Sequence, residues 1–335
     1  MSLKKVIAGI SVGDLHGIGM EVIYKSFYNG DLFQKCIPSV FGPHSLIKQY
    51  LNINNFSIDK LNLINNLDDI IENKLNIVET EAPSYNIKLG LPSEISALIA
   101  YNSLKECCYN LKNKKIDVIV TAPIDKYQIR KSVPDFIGHT EYLEKYFNKK
   151  SLMVMLSSVM KVAFVTGHIS LNQVSRNITI EKIISRTKSF YECLKSDFKI
   201  KNPKIAILGL NPHAGENNML GSEESEIISP AINQLQNEEK IVADGPIPAD
   251  SFFIDEKLRK YDGILAMYHD QGLIPFKSLS FSKGVNYTAG IDVVRTSPVH
   301  GVAYDIAGKG FADPNSFTES VNYACEIFKS KKRIA

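Results

Sequence analysis

Short apolar runs, each closed by a loop of small residues, constrain the fold of this chain more than any other feature. Val162-Ala-Phe-Val-Thr-Gly-His168, Ile205-Ala-Ile-Leu-Gly-Leu-Asn-Pro-His213 and Gly263-Ile-Leu-Ala-Met-Tyr-His269 are of this kind. A short, bounded apolar run reads as a buried strand, and the loop after such a strand is where open α/β sheets place their ligands. Similar runs span Val6–Val12, Asp117–Pro123 and Lys204–Leu210. Helical patterns over Ile95–Leu111, Ile180–Leu194, Glu223–Leu235 and Phe317–Phe328 alternate with them, with Thr179 as an N-cap. This alternation is the α/β pattern. Runs at Leu152–Leu156 and Val159–Val165, separated by only two serines, predict a hairpin and hence some antiparallel pairing. The Asn/Asp-rich stretch Asn52–Asn76 is the least regular and reads as peripheral.

A length of 335 residues exceeds one core and predicts two domains, and 44% hydrophobic residues suffice to bury both. The formal charge of +3 provides no nucleic-acid surface, and Lys329, Lys331, Lys332 and Arg333 read as a solvated helix end. Five cysteines, odd in number and without Cys-x-x-Cys spacing, read as reduced thiols of a cytoplasmic protein. Neither an export leader nor a membrane-length apolar segment is expected.

The three strand-end histidines carry the first chemical reading. A lone loop histidine is usually a surface residue. Three at the ends of apolar strands point to a divalent ion left with open positions, the catalytic pattern. Glu216 after His213 and Asp270 after His269 are either acceptors that fix the ring tautomers or ordinary caps. A second set comprises Lys277, Asn286 and Arg295, with His139-Thr140 upstream. Alternation in Gly290–Ser297 puts Arg295 on the face of Ile291 and Val293, so its charge needs a partner. That partner is either an internal Asp or a phosphate or carboxylate clamped by the guanidinium, with Lys277 and Asn286 assisting. Gly138-His-Thr-Glu141 opens a helix, as an anion site or merely a cap. Gly13-Asp-Leu-His-Gly-Ile-Gly19 follows a strand and begins a helix, but its spacing is not Gly-x-Gly-x-x-Gly and implies no Rossmann domain.

His300-Gly-Val-Ala-Tyr-Asp-Ile-Ala-Gly-Lys-Gly310, with Asp313-Pro314, resembles the cofactor loop of the isocitrate and isopropylmalate dehydrogenase superfamily. Together with Gly138-His-Thr-Glu, Thr166-Gly-His, Leu210-Asn-Pro-His-Ala-Gly-Glu216, Gly245-Pro-Ile-Pro-Ala-Asp250, Tyr268-His-Asp-Gln-Gly272 and Lys277, it is similar end to end to the PdxA family of 4-hydroxythreonine-4-phosphate dehydrogenases. One departure stands out. Where the family shows Gly-Asp-Pro-Ala-Gly-Ile-Gly-Pro-Glu, this chain has Leu15, His16 and Met20.

The resemblance implies two α/β/α domains with mixed sheets and an active site in the interdomain cleft. It places an NAD-binding domain over 1–125 plus 296–335 and a dimerisation and metal/substrate domain over 126–295. It implies a homodimer with a shared site, a divalent ion (zinc first, magnesium or cobalt as alternatives) on His168 and His213 of one subunit and His269 of the other, and a phosphorylated substrate held by His139, Thr140, Lys277, Asn286 and Arg295. His300, Gly301 and Asp313 would take NAD, with NADP as the alternative. The chemistry implied is alcohol oxidation followed by decarboxylation to 3-amino-2-oxopropyl phosphate, in pyridoxal 5'-phosphate biosynthesis. Asp250 is the candidate proton relay, and Asp270 its rival. The competing readings are a dehydrogenase of threonate or erythronate 4-phosphate, a metal-dependent phosphate-ester hydrolase, and a non-catalytic phosphate-metabolite binder.

Overall fold

A computed structural model describes residues 5–332; Arg333 and the outermost ends of the expected first domain lie outside them. Twelve strands follow in chain order: β1 Val6–Ser11, β2 Cys36–Phe41, β3 Leu61–Ile64, β4 Leu75–Val78, β5 Val118–Thr121, β6 Leu152–Leu156, β7 Lys161–Phe164, β8 Lys204–Leu208, β9 Val242–Ile247, β10 Gly263–Ala266, β11 Val285–Ala289 and β12 Arg295–Pro298. Contacts divide the chain into two units, one running to Lys149 and resuming over Ile291–Lys329, the other spanning Lys150–Gly290 with the last few residues.

In the first unit the strands lie in the order β3-β4-β2-β1-β5-β12, and every neighbouring pair is parallel. β2, β4 and β5 are buried along their whole length, as parallel strands between helical layers require. Helix Gly19–Tyr28 follows β1 through the glycine-rich turn. Helix Glu94–Lys112 starts at Ser93, whose hydroxyl accepts from the Ser96 amide. Residues 126–149, expected in the second domain, belong here because Ile129, Phe136 and Leu143 bury into one cluster with Cys107, Cys108 and Leu111. His139 and Thr140 therefore stand on the first unit.

The second unit orders its strands β11-β6-β7-β10-β8-β9. β6 runs antiparallel to both β11 and β7, the expected hairpin, whereas β7, β10, β8 and β9 are mutually parallel. Because β7, β10 and β8 are adjacent and parallel, the loops carrying His168, His269 and His213 leave from one sheet edge. The loop after β9, carrying Asp250, leaves from that edge too.

Three local expectations change. Asn52–Asn76 contains β3 and reaches into β4, so it is the ordered edge of the first sheet. The stretch 291–294 is irregular and β12 begins only at Arg295, so strand alternation does not set that side chain's direction. The helix expected from Glu223 opens as a π-turn, Glu224–Ile228, before Ser229–Asn237 becomes α-helical. All five cysteines are buried and free of disulfides. Among the described residues no helix is long and apolar enough to cross a membrane.

Candidate active site

On the second unit, two of the three histidines stand together and the third stands near an aspartate. The His168 and His269 rings lie 5.4 Å apart within one chain, at the ends of adjacent strands. The cause is the strand order, which seats β10 directly beside β7. Asp270 Oδ1 lies 2.6 Å from His269 Nδ1. A carboxylate accepts, so Nδ1 carries the proton and Nε2 keeps its lone pair, the arrangement that readies an imidazole for a metal. His213 stands with Asp250, Nδ1 to Oδ2 3.9 Å, on exposed side chains. Among the described residues no three His, Cys, Asp or Glu groups converge as a metal cage.

His213 sits on unusual backbone. From His213 through Asn218 every residue has positive φ: 52°, 51°, 80°, 40°, 55° and 72°. Only one of these is glycine, and left-handed backbone costs other residues about 1–2 kcal/mol each. Such strain persists where the surroundings overdetermine it. Glu216, the neighbour suggested by sequence as a support for His213, is exposed and itself in this run. Support comes instead from Glu224, whose Oε1 accepts from the Leu210 and Asn211 amides, each at 2.7 Å. Lys277 is partly buried on helix His269–Ser280, and Asn286 on β11 has an enclosed Oδ1 without a hydrogen-bond partner.

On the first unit, Arg295 is only 2% exposed. Its Nε and one terminal nitrogen donate to Thr121 Oγ1 at 3.1 and 2.6 Å. Burial pushes the guanidinium down to about 10, with Cys108 and Glu141 opposing, so it stays cationic at neutral pH. His139 and Thr140 open helix His139–Phe147. The His139 Nε2 is enclosed without a partner, and burial, Arg295 and Lys126 hold the imidazole well below its ordinary range, hence neutral. His300 repeats this. Its Nδ1 donates to the Gly301 carbonyl at 3.1 Å, leaving an enclosed, unpartnered Nε2, and burial lowers its pKa. Beside it, Gly301 has open space where a side chain would start. Asp313 Oδ1 accepts from the Asn315 amide at 2.9 Å, capping the last helix.

The loop from His300 to Ala312 is fastened by the glycine-rich turn, a role the sequence did not reveal. Ile18 N donates to Val302 O at 3.0 Å, and a Cβ on Gly17 would stand 2.5 Å from that carbonyl, so only glycine permits the approach. Lys25 Nζ donates to the Gly310 and Ala312 carbonyls at 2.8 and 3.0 Å, and Glu21 Oε1 accepts from Ala312 N at 3.1 Å. The Tyr304 hydroxyl lies 2.7 Å from Asp14 Oδ2 and 3.1 Å from Asp125 Oδ2. Burial first, then the two carboxylates, raise the phenol well above its usual range.

The departures in that turn are internal. Leu15, His16 and Met20 are at most 1% exposed. His16 Nδ1 donates to Leu91 O at 2.6 Å, so its Nε2 must accept from Tyr85 OH at 2.7 Å and the Lys88 amide at 3.1 Å. The Tyr85 ring stacks on the imidazole, centroids 5.4 Å apart.

The family described as "Pyridoxal phosphate biosynthetic protein PdxA" matches residues 34–324. A 4-hydroxythreonine-4-phosphate dehydrogenase of Bacteroides thetaiotaomicron is 41% identical over 339 residues, covering 99% of this chain and 92% of that protein. A protein of Oceanobacillus iheyensis, provisionally named D-threonate 4-phosphate dehydrogenase, is 38% identical and covers 98% of this chain and 99% of its own length. The crystal structure of 4-hydroxythreonine-4-phosphate dehydrogenase from Klebsiella pneumoniae superposes with a TM-score of 0.84 at 29% identity, covering 98% of this chain and 99% of that one.

Proposed function

The chain belongs to the PdxA family of pyridoxal phosphate biosynthetic proteins, and on that premise we propose that it oxidises 4-phosphooxy-L-threonine with NAD to a 3-keto acid that loses carbon dioxide, giving 3-amino-2-oxopropyl phosphate. One observation carries the reading. Among the described residues seven enclosed side-chain polar atoms lack partners, and three of them are His139 Nε2, Asn286 Oδ1 and His300 Nε2. Native interiors rarely leave such atoms unpaired unless something else completes them, and these three belong to residues expected to hold substrate and cofactor.

The donor set fits a divalent ion. His168 and His269 stand side by side, His269 has its Nε2 readied by Asp270, and His213 follows the neighbouring strand. Imidazole nitrogens suit zinc first and cobalt next, whereas magnesium prefers oxygen donors. A bound divalent ion lowers the pKa of a ligated hydroxyl and stabilises charge on its oxygen, and NAD accepts the hydride. Arg295 and Lys277 hold the substrate's phosphate and carboxylate, and neutral His139 and Thr140 orient it. Asp250 takes the alcohol proton, because Asp270 is already engaged by His269. His300, Gly301 and Asp313 receive NAD, or NADP in the alternative.

Exposed apolar residues support the homodimer. Ile169, Leu171, Met219, Leu220, Ile254 and Ile274 are 38–78% exposed, on the segments following His168, His213, Asp250 and His269. A second copy of this face would cover them. The buried thiols suit a reducing, cytoplasmic setting.

His213→Ala should abolish bound metal and NADH formation together; full activity in that variant overturns the metal assignment. The relative from Oceanobacillus favours one second reading, D-threonate 4-phosphate as substrate. NADH production by metal-loaded protein with 4-phosphooxy-L-threonine, compared with the threonate and erythronate 4-phosphates, decides between them.

A further inference from the structure

The buried acid next to the strained His213 turn belongs to a hydrogen-bonded network that joins the histidine-bearing segments. Glu224 is 4% exposed. Its Oε1 takes the Leu210 and Asn211 amides at 2.7 Å each, and its Oε2 takes Asn211 Nδ2 at 2.9 Å. A Cβ on Gly215 would stand 2.8 Å from that Oε2, so the turn leaves out a side chain where the carboxylate packs. Asn211 Nδ2 also donates to Glu223 Oε2 at 2.7 Å, while Ser175 Oγ donates to Glu223 Oε1 at 2.6 Å. Ser175 lies on the segment that follows His168. From the third segment, Gln271, two residues past His269, donates to the Gly209 carbonyl at 2.6 Å and accepts from Met267 N at 2.7 Å. The segments of His168, His213 and His269 are thus joined by one hydrogen-bonded chain.

We propose that Glu224 is a positioning residue: through Asn211 and Glu223 it holds the left-handed His213 turn and ties it to the His168 segment, so that the histidines are placed before any ion arrives. Hydrogen bonds to a charged acceptor are the strong ones, and a carboxylate taking three donors can hold backbone that would otherwise relax. The π-turn at Glu224–Ile228 accompanies this, since the wider turn sits where the acid is directed inward. The proposal rests on the metal reading above.

Cobalt(II) titration, followed by the visible d–d absorption, tests it in the full-length protein. Glu224→Gln should raise the Co2+ dissociation constant about 10–100-fold, the range for lost supports of metal ligands, and change the band shape. Ser175→Ala, which removes an exposed hydroxyl and only the Glu223 tether, should raise it a few-fold, and it stands in should Glu224→Gln not fold. Wild-type affinity and spectrum in both variants overturn the brace alone; no Co2+ uptake by the wild type removes the metal reading. Hydrogen exchange of the metal-free protein is independent of that reading. The Leu210 and Asn211 amides should exchange faster in Glu224→Gln, and unchanged exchange refutes the brace whatever the metal does.

Discussion

Replacing Tyr304 by Phe removes one oxygen from the link between the His300–Gly310 loop and the strand ends of the first unit. A phenol has one proton, and with Asp14 Oδ2 at 2.7 Å and Asp125 Oδ2 at 3.1 Å the closer carboxylate takes it. Asp14 keeps its bond from the His16 amide at 2.8 Å and Asp125 its bond from Gln128 N at 3.0 Å. The loss is therefore one hydrogen bond to a charged acceptor, about 1.5–3 kcal/mol. For a unit of this size that lowers the thermal midpoint by about 3–12 °C. If the whole loss falls on the loop's position, the competent fraction and hence the apparent affinity for NADH falls by at most about 10–150-fold. The catalytic rate at saturating NAD should stay within about threefold, because Tyr304 holds the loop and is not placed at the reacting atoms. NADH fluorescence titration and differential scanning calorimetry read the two quantities. Wild-type values in both would refute the latch; a lower midpoint with unchanged NADH affinity would refute its link to the cofactor.

Two further outcomes are expected. Arg295→Lys keeps the charge but loses the planar fork, so KM for the phosphorylated substrate should rise about 10–100-fold with little change in kcat; an unchanged KM removes Arg295 from substrate binding. His139 and His300 have folded pKa values lowered from 6.5 by burial, so the unfolded chain binds protons more readily. Their contribution to stability is present above about pH 6.5 and is lost as pH falls toward their folded values. Thermal midpoints of the wild type should accordingly drop between pH 7 and 5, and His139→Gln with His300→Gln should flatten that slope; an equally steep slope in the double variant contradicts the assignment.

Apolar strands were legible because burial on both faces leaves its mark residue by residue, as in β5, β8 and β10. Edge strands were not. β3 reads Leu61-Asn-Leu-Ile, and the stretch around it is organised by a buried amide: Asn76 Oδ1 accepts from Asn62 Nδ2 and the Ile71 amide at 2.8 Å each, while its Nδ2 donates to Pro38 O at 3.0 Å. An asparagine count says nothing about which asparagine is a hub. The candidate histidines were visible because each ends an apolar run, but their supports were not. Glu224 acts on Asn211 across a turn whose left-handed backbone only Gly215 and the two following asparagines hint at. Tyr304 meets Asp14 across nearly the whole sequence, and no local pattern encodes that meeting.

The placement of His269 has the largest consequence for how the site is assembled. If His168 and His269 came from different subunits, a dimer mixing a His168→Ala chain with a His269→Ala chain would rebuild one intact site from the two undamaged histidines. Random mixing makes about half the dimers heterodimeric, and one of the two sites in each would work, giving about a quarter of wild-type activity. Were both ligands of one ion to come from the same chain, where the rings lie 5.4 Å apart, every site in every such dimer would lack one ligand. Among the described residues of one chain no three His, Cys, Asp or Glu groups converge, so co-expressed, co-purified variants should recover that quarter. Mixed variants as inactive as either alone would show that the pair within one chain holds the ion and that the site is not completed across the dimer.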